Sequence, residues 1–408
     1  MLSNLLWCFI TLGLVVSTMP IVEKYYLMLV FSLALPCFII YTYGCSRLKK
    51  YEVWAFAFVS VAFLNFPILM LNESLLAATS MLICFVIMFC CERALHSRRD
   101  FIVFNRLMIV LMVYIFFECV FQLIFGSSLL LGYGLMFGHK STGPFPNTYA
   151  DTLSIVFVFY FALLGFGPFS VKNSKVLTLI ILLMCFFVLV ISGSRAAILM
   201  LFTSILFGYF FVYDVSKAVV RFLTSISTTL FLFFVFYFLF SDVEFFHRFF
   251  YKINNLVEVL QGGLVIDDIN STTIRLLIWR DLIDLWCEQP LYLLFGYGFG
   301  TLPFANADVF HREYLNVADA QNVWLDLIYS VGFFGTGCFI LFVFKFYHYL
   351  VRNVDDKFVR ISVLCLVFWP INPFSVQHKL EAAWYFMQIS FSWIIASYVI
   401  KIYKGQVR

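Results

Sequence analysis

Apolar residues are arranged along this chain in long runs that short polar segments separate. Twelve runs are long enough for a helix to cross a bilayer, whose apolar core of about 30 Å needs roughly 20 residues. They lie near 3–19, 25–43, 53–71, 74–91, 107–125, 150–168, 176–194, 196–213, 222–240, 321–343, 361–377 and 382–400. A membrane β-barrel would alternate polar and apolar residues, whereas the run 176–190 is apolar on every side. The pattern therefore predicts an all-α, polytopic membrane protein with about twelve transmembrane helices.

The composition supports the same class of protein. Hydrophobic residues make up 63% of the 408 residues and charged residues 12%, whereas about a quarter of a soluble domain is charged. The charged residues gather in short clusters, which mark where the chain leaves the bilayer. A soluble domain is therefore excluded, and no nucleic-acid partner is predicted.

Basic residues predict the orientation, because Lys and Arg gather in the cytoplasmic connections of membrane proteins. Alternate connections carry most of them, namely Arg47, Lys49, Lys50, Arg93, Arg98, Arg99, Arg106, Lys172, Lys175, Lys217, Arg221, Lys345, Arg352, Lys357 and Arg360, and the tail adds Lys401, Lys404 and Arg408. The short connections on the other side carry only Lys24, Lys140, Arg195 and Lys379. Both termini are therefore predicted to be cytoplasmic, and an even number of spans likewise places both termini on the same side.

The longest connection, residues 241–320, divides the chain into three parts. Residues 1–240 form the predicted spans one to nine, 241–320 form a large periplasmic loop, and 321–408 form spans ten to twelve with a cytoplasmic tail. Loops of this length are usually functional. The loop begins with an amphipathic helix that Gly262 and Gly263 end, and this helix is predicted to lie on the membrane surface. It either has a purely structural role or frames a lateral entrance for a lipid-linked substrate.

A second loop helix is predicted over 272–288, and it carries Arg275 in its first turn. The positive end of the helix dipole lies there and disfavours a cation. Local helix stability therefore does not account for Arg275, whereas an anionic ligand would. The alternative is pairing with a nearby acid, and the acids available are Asp267, Asp268 and Asp281.

Arg195 lies in the sequence ISGSRAAILM, between two apolar runs and directly after Ser194. An unpaired guanidinium inside a membrane is costly, so Arg195 either reaches the interface as a membrane anchor or forms part of a site. Arginine suits phosphate, because its planar group donates two hydrogen bonds at once and stays charged at physiological pH.

Two further polar segments lie on the same predicted outer face. GHKSTGPFPNTYAD, residues 138–151, precedes the sixth span, and ADAQNVWLDLIYSVGFFG, residues 318–335, opens the tenth. Asp326 lies about one turn inside this apolar run, where a carboxylate is either functional or paired with a neighbouring helix. No cysteines, histidines or carboxylates have the spacing of a metal site, and the glycines of FGYGFGT lack the strand and helix of a dinucleotide site. The sequence therefore predicts no metal and no other cofactor.

Five motifs occur in order along the chain: GPFPNTYA, SGSRAA, the Arg275 and Trp279 pair of TTIRLLIW, GYGFGT, and the pattern xNxWLxLxxxxGxxG at the tenth span. This ordered set covers about 200 residues and resembles the O-antigen ligase and polymerase superfamily of bacterial envelope enzymes. The resemblance implies metal-independent, inverting glycosyl transfer at the periplasmic face of the inner membrane, from an undecaprenyl-pyrophosphate-linked oligosaccharide. It also implies membrane lipids, a flippase and a chain-length regulator as partners.

Within this superfamily, polymerases pass the growing chain to another lipid-linked repeat unit, whereas ligases pass the finished chain to lipid A core. In ligases the span after the large loop is expected to begin with His-Asn, and this chain has Gln321 and Asn322 there. Glutamine cannot accept a proton at neutral pH, so the sequence favours a polymerase over a ligase. A lipid-linked oligosaccharide flippase is a further alternative, although flippases need polar spans and only Glu118 and Asp326 stand out here.

The reaction assigns roles to named residues. Arg195 and Arg275 are predicted to stabilise the negative charge that develops on the departing pyrophosphate. Asp319 is the predicted general base for the acceptor hydroxyl, with Glu313 and His311 as alternatives. The predicted substrate-binding residues are Asn147, Ser194, Arg280, Gln321 and Asn322.

Overall fold

The computed structural model describes residues 49–64, most of 81–92, 98–129 except 128, 149–166, 174–192, most of 195–231, 279, 282–298, 322–372 and 383–405. This part of the chain is almost entirely α-helical, and no β-strand occurs in it. The prediction of an all-α protein is therefore confirmed for these residues. The predicted spans at 3–19 and 25–43 lie outside them, as does the amphipathic helix at the start of the large loop. The number of twelve spans stays a prediction.

The helices with defined bounds in this part of the chain are α1 Lys50–Leu64, α2 Arg98–Phe125, α3 Tyr149–Phe166, α4 Ser174–Ile191, α5 Arg195–Val212, α6 Pro290–Phe295, α7 Val323–Val351, α8 Lys357–Phe368 and α9 Ala383–Tyr403. A short 3-10 helix, Trp369–Ile371, follows α8 directly. Two stretches are long and apolar enough to cross a membrane, Ile102–Phe125 in α2 and the whole of α7. Helices α3, α4, α5 and α9 contain shorter apolar stretches.

Helix bounds agree with the predicted spans in some places and differ in others. Helix α5 covers Arg195–Val212, where the sequence predicts 196–213. Helix α7 has 29 residues and ends at Val351, so the predicted end at 343 is wrong. Its 29 residues exceed the roughly 20 that a bilayer core of about 30 Å requires. Lys345 ends the apolar run, but lysine is a good helix former and the helix continues past it.

The main core lies where α1 and α9 pack against the middle of α7. The ring centroids of Phe342 and Trp393 lie 5.0 Å apart, and those of Phe58 and Phe339 lie 4.9 Å apart. All four side chains are buried. Large buried rings contribute much of the apolar contact in a core, so these rings hold the three helices together.

The outer faces of α2 and α4 carry large apolar side chains. Phe117 of α2 is 60% exposed and Val176 of α4 is 71% exposed. Soluble monomers rarely expose contiguous apolar surface, whereas helices that face lipid do. The surface therefore agrees with a membrane protein.

Charged residues of two predicted cytoplasmic connections and of the predicted cytoplasmic tail meet at one end of the bundle. Lys49 donates to one Glu92 carboxylate oxygen over 2.5 Å, and the Lys401 ammonium lies 3.7 Å from the other. Lys401 also donates to the Glu92 backbone carbonyl. Lys49 in addition contacts the Tyr349 hydroxyl of α7 at 2.9 Å. We call these four residues the ion cluster. Which side of the membrane the cluster faces stays a prediction.

Tyr213, just after α5, lies at the same end of the bundle. The Arg221 guanidinium lies 4.2 Å from the centroid of its ring, and the Lys357 ammonium lies 4.9 Å from it. Lys357 begins α8, which follows the end of α7 after a short turn. Arg195 begins the 18-residue helix α5 and therefore lies at the opposite end, about 25 Å away along the helix.

Candidate functional site

Helix α7 is interrupted at Gly332, whose φ of 65° and ψ of −176° are not helical. In a continuous helix the carbonyls of Tyr329 and Ser330 accept from amides four residues later. At the break, amides of the large loop reach them instead. Tyr297 donates to the Tyr329 carbonyl over 2.7 Å, and Gly298 donates to the Ser330 carbonyl over 2.9 Å. Because lipid offers no hydrogen bonds, non-helical backbone at membrane depth needs such partners. The break therefore joins the GYGFGT motif to the motif of the tenth span.

Two glycines let the loop and the helix touch backbone to backbone. Gly296 has a φ of 80°, and a Cβ there would lie 2.5 Å from the Ser330 carbonyl oxygen. Gly332 also has a positive φ, and a Cβ there would overlap the Leu294 carbonyl. Both positions therefore combine a left-handed backbone with a contact that excludes any side chain.

Three tyrosine rings stack beside the break. Tyr292 of α6 and Tyr297 have ring centroids 4.0 Å apart, and Tyr297 and Tyr329 have centroids 4.8 Å apart. The Tyr297 hydroxyl donates to the Gln289 side-chain oxygen over 3.2 Å. Burial raises the pKa of Tyr297 to about 12, and the neighbouring Tyr292 and Glu288 add to this rise. Tyr297 is therefore protonated at neutral pH and remains a hydrogen-bond donor.

The stack belongs to a small second core, which we call the loop cluster. Its buried members are Leu282, Leu285, Trp286, Tyr297 and Tyr329, and the side chains packed against them include Trp279, Leu325 and Ile328. Residues 282–288 are helical, and α6 begins at Pro290. The predicted end of the second loop helix near 288 is therefore confirmed. The loop cluster holds the end of that helix against the first turns of α7.

Asn322 caps the start of α7 next to the loop cluster. Its side-chain oxygen accepts from the Trp324 amide over 3.0 Å and from the Leu325 amide over 3.3 Å. These bonds satisfy amides that have no partner inside the helix. Asp326 is buried one turn further on, where the positive end of the helix dipole stabilises a negative charge. Asn322 therefore stabilises this end of α7, and its part in substrate binding stays a prediction.

Arg195 is the first residue of α5, at the end of the bundle opposite the ion cluster. Helix α4 ends just before it, where the Ser192 amide donates to the Val188 carbonyl over 2.9 Å. The Ser192 hydroxyl donates to the Leu189 carbonyl over 2.9 Å. Since the start of α7 is also opposite the ion cluster, Arg195 and Asn322 lie at the same end of the bundle. This agrees with the predicted outer placement of both.

The other predicted site residues lie outside the described residues, and their roles stay predictions. They are Arg275, Asp319, Asn147, Ser194, Arg280 and Gln321, together with the alternative bases Glu313 and His311. Among the residues that the structure does describe, no group of three or more His, Cys, Asp or Glu could hold a metal ion. Independence of metal likewise stays a prediction.

Residues 179–340 match the protein-family model described as O-antigen ligase. This match supports the O-antigen ligase and polymerase superfamily. The matched region contains Arg195, the large loop and the break in α7, and it confirms the resemblance that the ordered motifs predict. Members of this superfamily are membrane-embedded, glycosyltransferase-like enzymes of O-antigen and polysaccharide assembly, and they act on lipid-linked oligosaccharides. No curated protein matches the chain.

The chain contains a second break inside a predicted span, which hydropathy alone did not predict. Helix α8 ends at Phe368, and the 3-10 helix Trp369–Ile371 follows it. Pro370 has no amide hydrogen and its ring disrupts a continuing helix. The predicted span 361–377 is therefore wrong as one regular helix. The sequence WPINP, with two prolines inside an apolar run, is the feature that could have predicted the break.

Asn372 ties this second break to α5. Its side-chain nitrogen donates to the Thr203 hydroxyl over 2.5 Å, and it contacts the Ser204 hydroxyl and the Met200 carbonyl, each over 3.2 Å. Asn372 is buried, and a buried amide requires partners of this kind. The contact lies in the second and third turns of α5 after Arg195, so it fixes the helix that carries this arginine.

Glu118, one of the two span carboxylates singled out in the sequence, has a local structural role. It is buried in α2 and accepts a hydrogen bond from the Leu129 amide over 2.8 Å. The chain turns back after α2 at Gly126, which has a φ of 80°. Glu118 therefore holds the returning chain against its own helix.

Proposed function

We propose that the chain polymerises O-antigen repeat units linked to undecaprenyl pyrophosphate, by inverting glycosyl transfer at the periplasmic face of the bacterial inner membrane. The observation that carries the proposal is Gln321, directly before the capping residue Asn322 and inside the region of the O-antigen ligase family. A ligase is expected to have a histidine base there, and glutamine cannot accept a proton at neutral pH. A polymerase is therefore the better fit.

The proposed reaction exchanges one bond at the anomeric carbon. A hydroxyl oxygen of the acceptor sugar attacks this carbon of the donor from the face opposite the leaving group. The new carbon–oxygen bond forms as the bond to pyrophosphate breaks, so the configuration inverts. Asp319 takes the hydroxyl proton, or Glu313 or His311 in its place. Undecaprenyl pyrophosphate leaves with the negative charge.

Two arginines stabilise that charge in the proposed site. Arg195 and Arg275 supply planar guanidinium groups, which match phosphate oxygens and stay protonated. Arg195 begins α5, and the positive end of a helix dipole adds to the attraction for an anion at this position. Asn147, Ser194 and Arg280, with Gln321 and Asn322, complete the proposed substrate contacts.

The position of the loop supports a site at this end of the bundle. The loop cluster packs residues 282–288, which follow Arg275 in the sequence, against the first turns of α7. Arg195 and Asn322 begin their helices at the same end. A lipid-linked donor and acceptor would meet the chain where its spans emerge from the membrane.

A deletion strain tests the proposal through its lipopolysaccharide. If the chain is the polymerase, the strain should carry one repeat unit per core, because single units are still ligated. Expression of the intact chain should restore the ladder of long chains. A ladder of normal length in the deletion strain would contradict the proposal.

A ligase is the second candidate, because the matching family model is described as O-antigen ligase. Loss of a ligase should leave bare core while lipid-linked polymer accumulates. The same gel therefore separates the two functions.

A further inference from the structure

The ring of Tyr292 is partly exposed and stacks on one neighbouring ring. It is half-buried, its only ring contact within the described chain is the stack on Tyr297, and its hydroxyl makes no hydrogen bond there. Tyr297 and Tyr329, which lie behind it, are both buried. Two buried rings and the backbone contacts at the break in α7 therefore hold this partly exposed ring in place.

The ring of Tyr292 and the exposed apolar residues lie on different sides of helix α6. Leu291, Leu294 and Phe295 are exposed, and at about 100° per residue they fall on one side of the helix. Tyr292 and Leu293 fall on the other side and pack against the loop cluster. Tyr292 is therefore not part of the exposed apolar face of α6.

Polar groups lie beside the stack. The Gln289 side-chain oxygen accepts from the Tyr297 hydroxyl, and its amide nitrogen makes no hydrogen bond within the described chain. Glu288 precedes it and is exposed. The segment therefore offers an aromatic face, an amide donor and a carboxylate acceptor close together.

We propose that Tyr292, with Gln289 and Glu288, forms a subsite for a neutral pyranose ring of the lipid-linked oligosaccharide, which rests on the proposed function. A pyranose has a face of polarised C–H groups, and the negative face of an aromatic ring attracts them. Its hydroxyls both donate and accept, which suits a carboxylate and an amide. A lipid chain would not use these polar groups, and Glu288 would repel a phosphate.

Kinetics on the purified full-length protein test the subsite. The substrate is the lipid-linked repeat unit isolated from the same bacterium. Tyr292→Ala should raise KM about tenfold while kcat changes less than about twofold, because it removes binding that the ground state and the transition state share. Tyr292→Phe keeps the ring and should stay within about threefold of the intact enzyme in KM.

Leu291→Ala is the matched control, since Leu291 is the exposed neighbour on the same short helix. It should leave both constants unchanged. A tyrosine that serves only as an interfacial anchor should affect the amount of inserted protein and leave KM alone. An unchanged KM in Tyr292→Ala would therefore overturn the subsite, as would an equal rise in KM for Leu291→Ala.

A binding measurement separates this proposal from the polymerase assignment. The probe is the free repeat oligosaccharide, released by mild acid from the lipid carrier of the same bacterium. Trp286 lies in the loop cluster, so tryptophan fluorescence should report its binding. The intact protein and Tyr292→Phe should bind, with Tyr292→Ala at least about tenfold weaker.

Equal binding by Tyr292→Ala, or none by the intact protein, would overturn the subsite. Binding by a protein that forms no polymer would support the subsite and remove the polymerase assignment.

Discussion

The backbone amide of Tyr297 donates to the Tyr329 carbonyl over 2.7 Å, and the rings of the same two residues stack with centroids 4.8 Å apart. Main chain and side chain thus hold the large loop and α7 together at one point. A loop that separated from α7 would lose both interactions at once. We therefore expect the segment 289–298 and α7 to behave as one unit.

Gly332→Ala should disrupt this contact. An L residue at its φ of 65° and ψ of −176° costs about 1–3 kcal/mol, and the added Cβ would overlap the Leu294 carbonyl. We expect a lower melting temperature and faster protease cleavage in the loop, both measured on detergent-purified protein. Gly337→Ala is the control in the same helix, because a Cβ there meets no atom within 4 Å. Similar destabilisation by both substitutions would contradict the role of the break.

Replacement of either predicted arginine by lysine should nearly abolish polymer. Arg195→Lys and Arg275→Lys keep the charge and the ability to reach the interface, but they lose the two-pronged contact with phosphate. Removal of one stabilising donor lowers a rate about 100-fold to 1000-fold. Polymer on a lipopolysaccharide gel, compared at equal protein abundance, measures the effect.

Two lysines serve as controls for the arginines. Lys24→Ala and Lys379→Ala lie on the predicted outer face but outside the motifs, so chain length should not change. A normal ladder of long chains in both arginine variants would end their catalytic assignment.

Asn372→Asp should destabilise the protein more than Asn372→Ala. The side-chain nitrogen contacts the Thr203 hydroxyl, the Ser204 hydroxyl and the Met200 carbonyl, and a carboxylate would place a buried charge against these oxygens. A buried, uncompensated charge typically costs about 3–5 kcal/mol. Thermal unfolding of the purified variants should show the order.

Asn353→Asp makes the same chemical change at an exposed turn and should stay within about 0.5 kcal/mol of the intact protein. Equal melting temperatures for the Asp variants at 353 and 372 would show that the contact between Asn372 and α5 does not stabilise the protein.

Glu92→Gln should weaken the ion cluster at neutral pH. Burial on its own lowers the pKa of Lys49, but the Glu92 carboxylate and the Tyr349 hydroxyl outweigh it, and the net pKa is raised above 10.5. A raised pKa in the folded state means that this stability is fully present below the ordinary lysine pKa of about 10.4. It is lost as pH rises through the folded value.

The melting-temperature difference between the intact protein and Glu92→Gln should therefore be constant near neutrality and shrink only in the alkaline range. Asp214→Asn is the control. The Lys217 ammonium lies 3.7 Å from the Asp214 carboxylate, and the Lys217 side chain is 70% exposed and that of Asp214 85% exposed. Exposed pairs contribute about 0–1 kcal/mol, so we expect almost no effect. A difference for Glu92→Gln that grows with pH would contradict the assignment.

The helices of this protein follow largely from local sequence. Helix α5 lies within one residue of the predicted span at both ends, because the bilayer thickness sets how many apolar residues a span needs. The motif order likewise predicts the superfamily that the match to 179–340 supports. Where a helix leaves the membrane, the same rule fails, and α7 continues to Val351.

The arrangement of the site depends on contacts between distant parts of the chain. Periodicity singles out GYGFGT and the glycines of the tenth span, but it does not show that Tyr297 completes the hydrogen bonding of a broken helix at Tyr329. The bond from Asn372 to Thr203 joins residues that lie 169 positions apart. Hydropathy is a local property of the chain, and it fixes which segments enter the membrane. Only tertiary packing decides which polar group donates a hydrogen bond to the backbone at a broken helix, because that partner comes from a distant part of the chain.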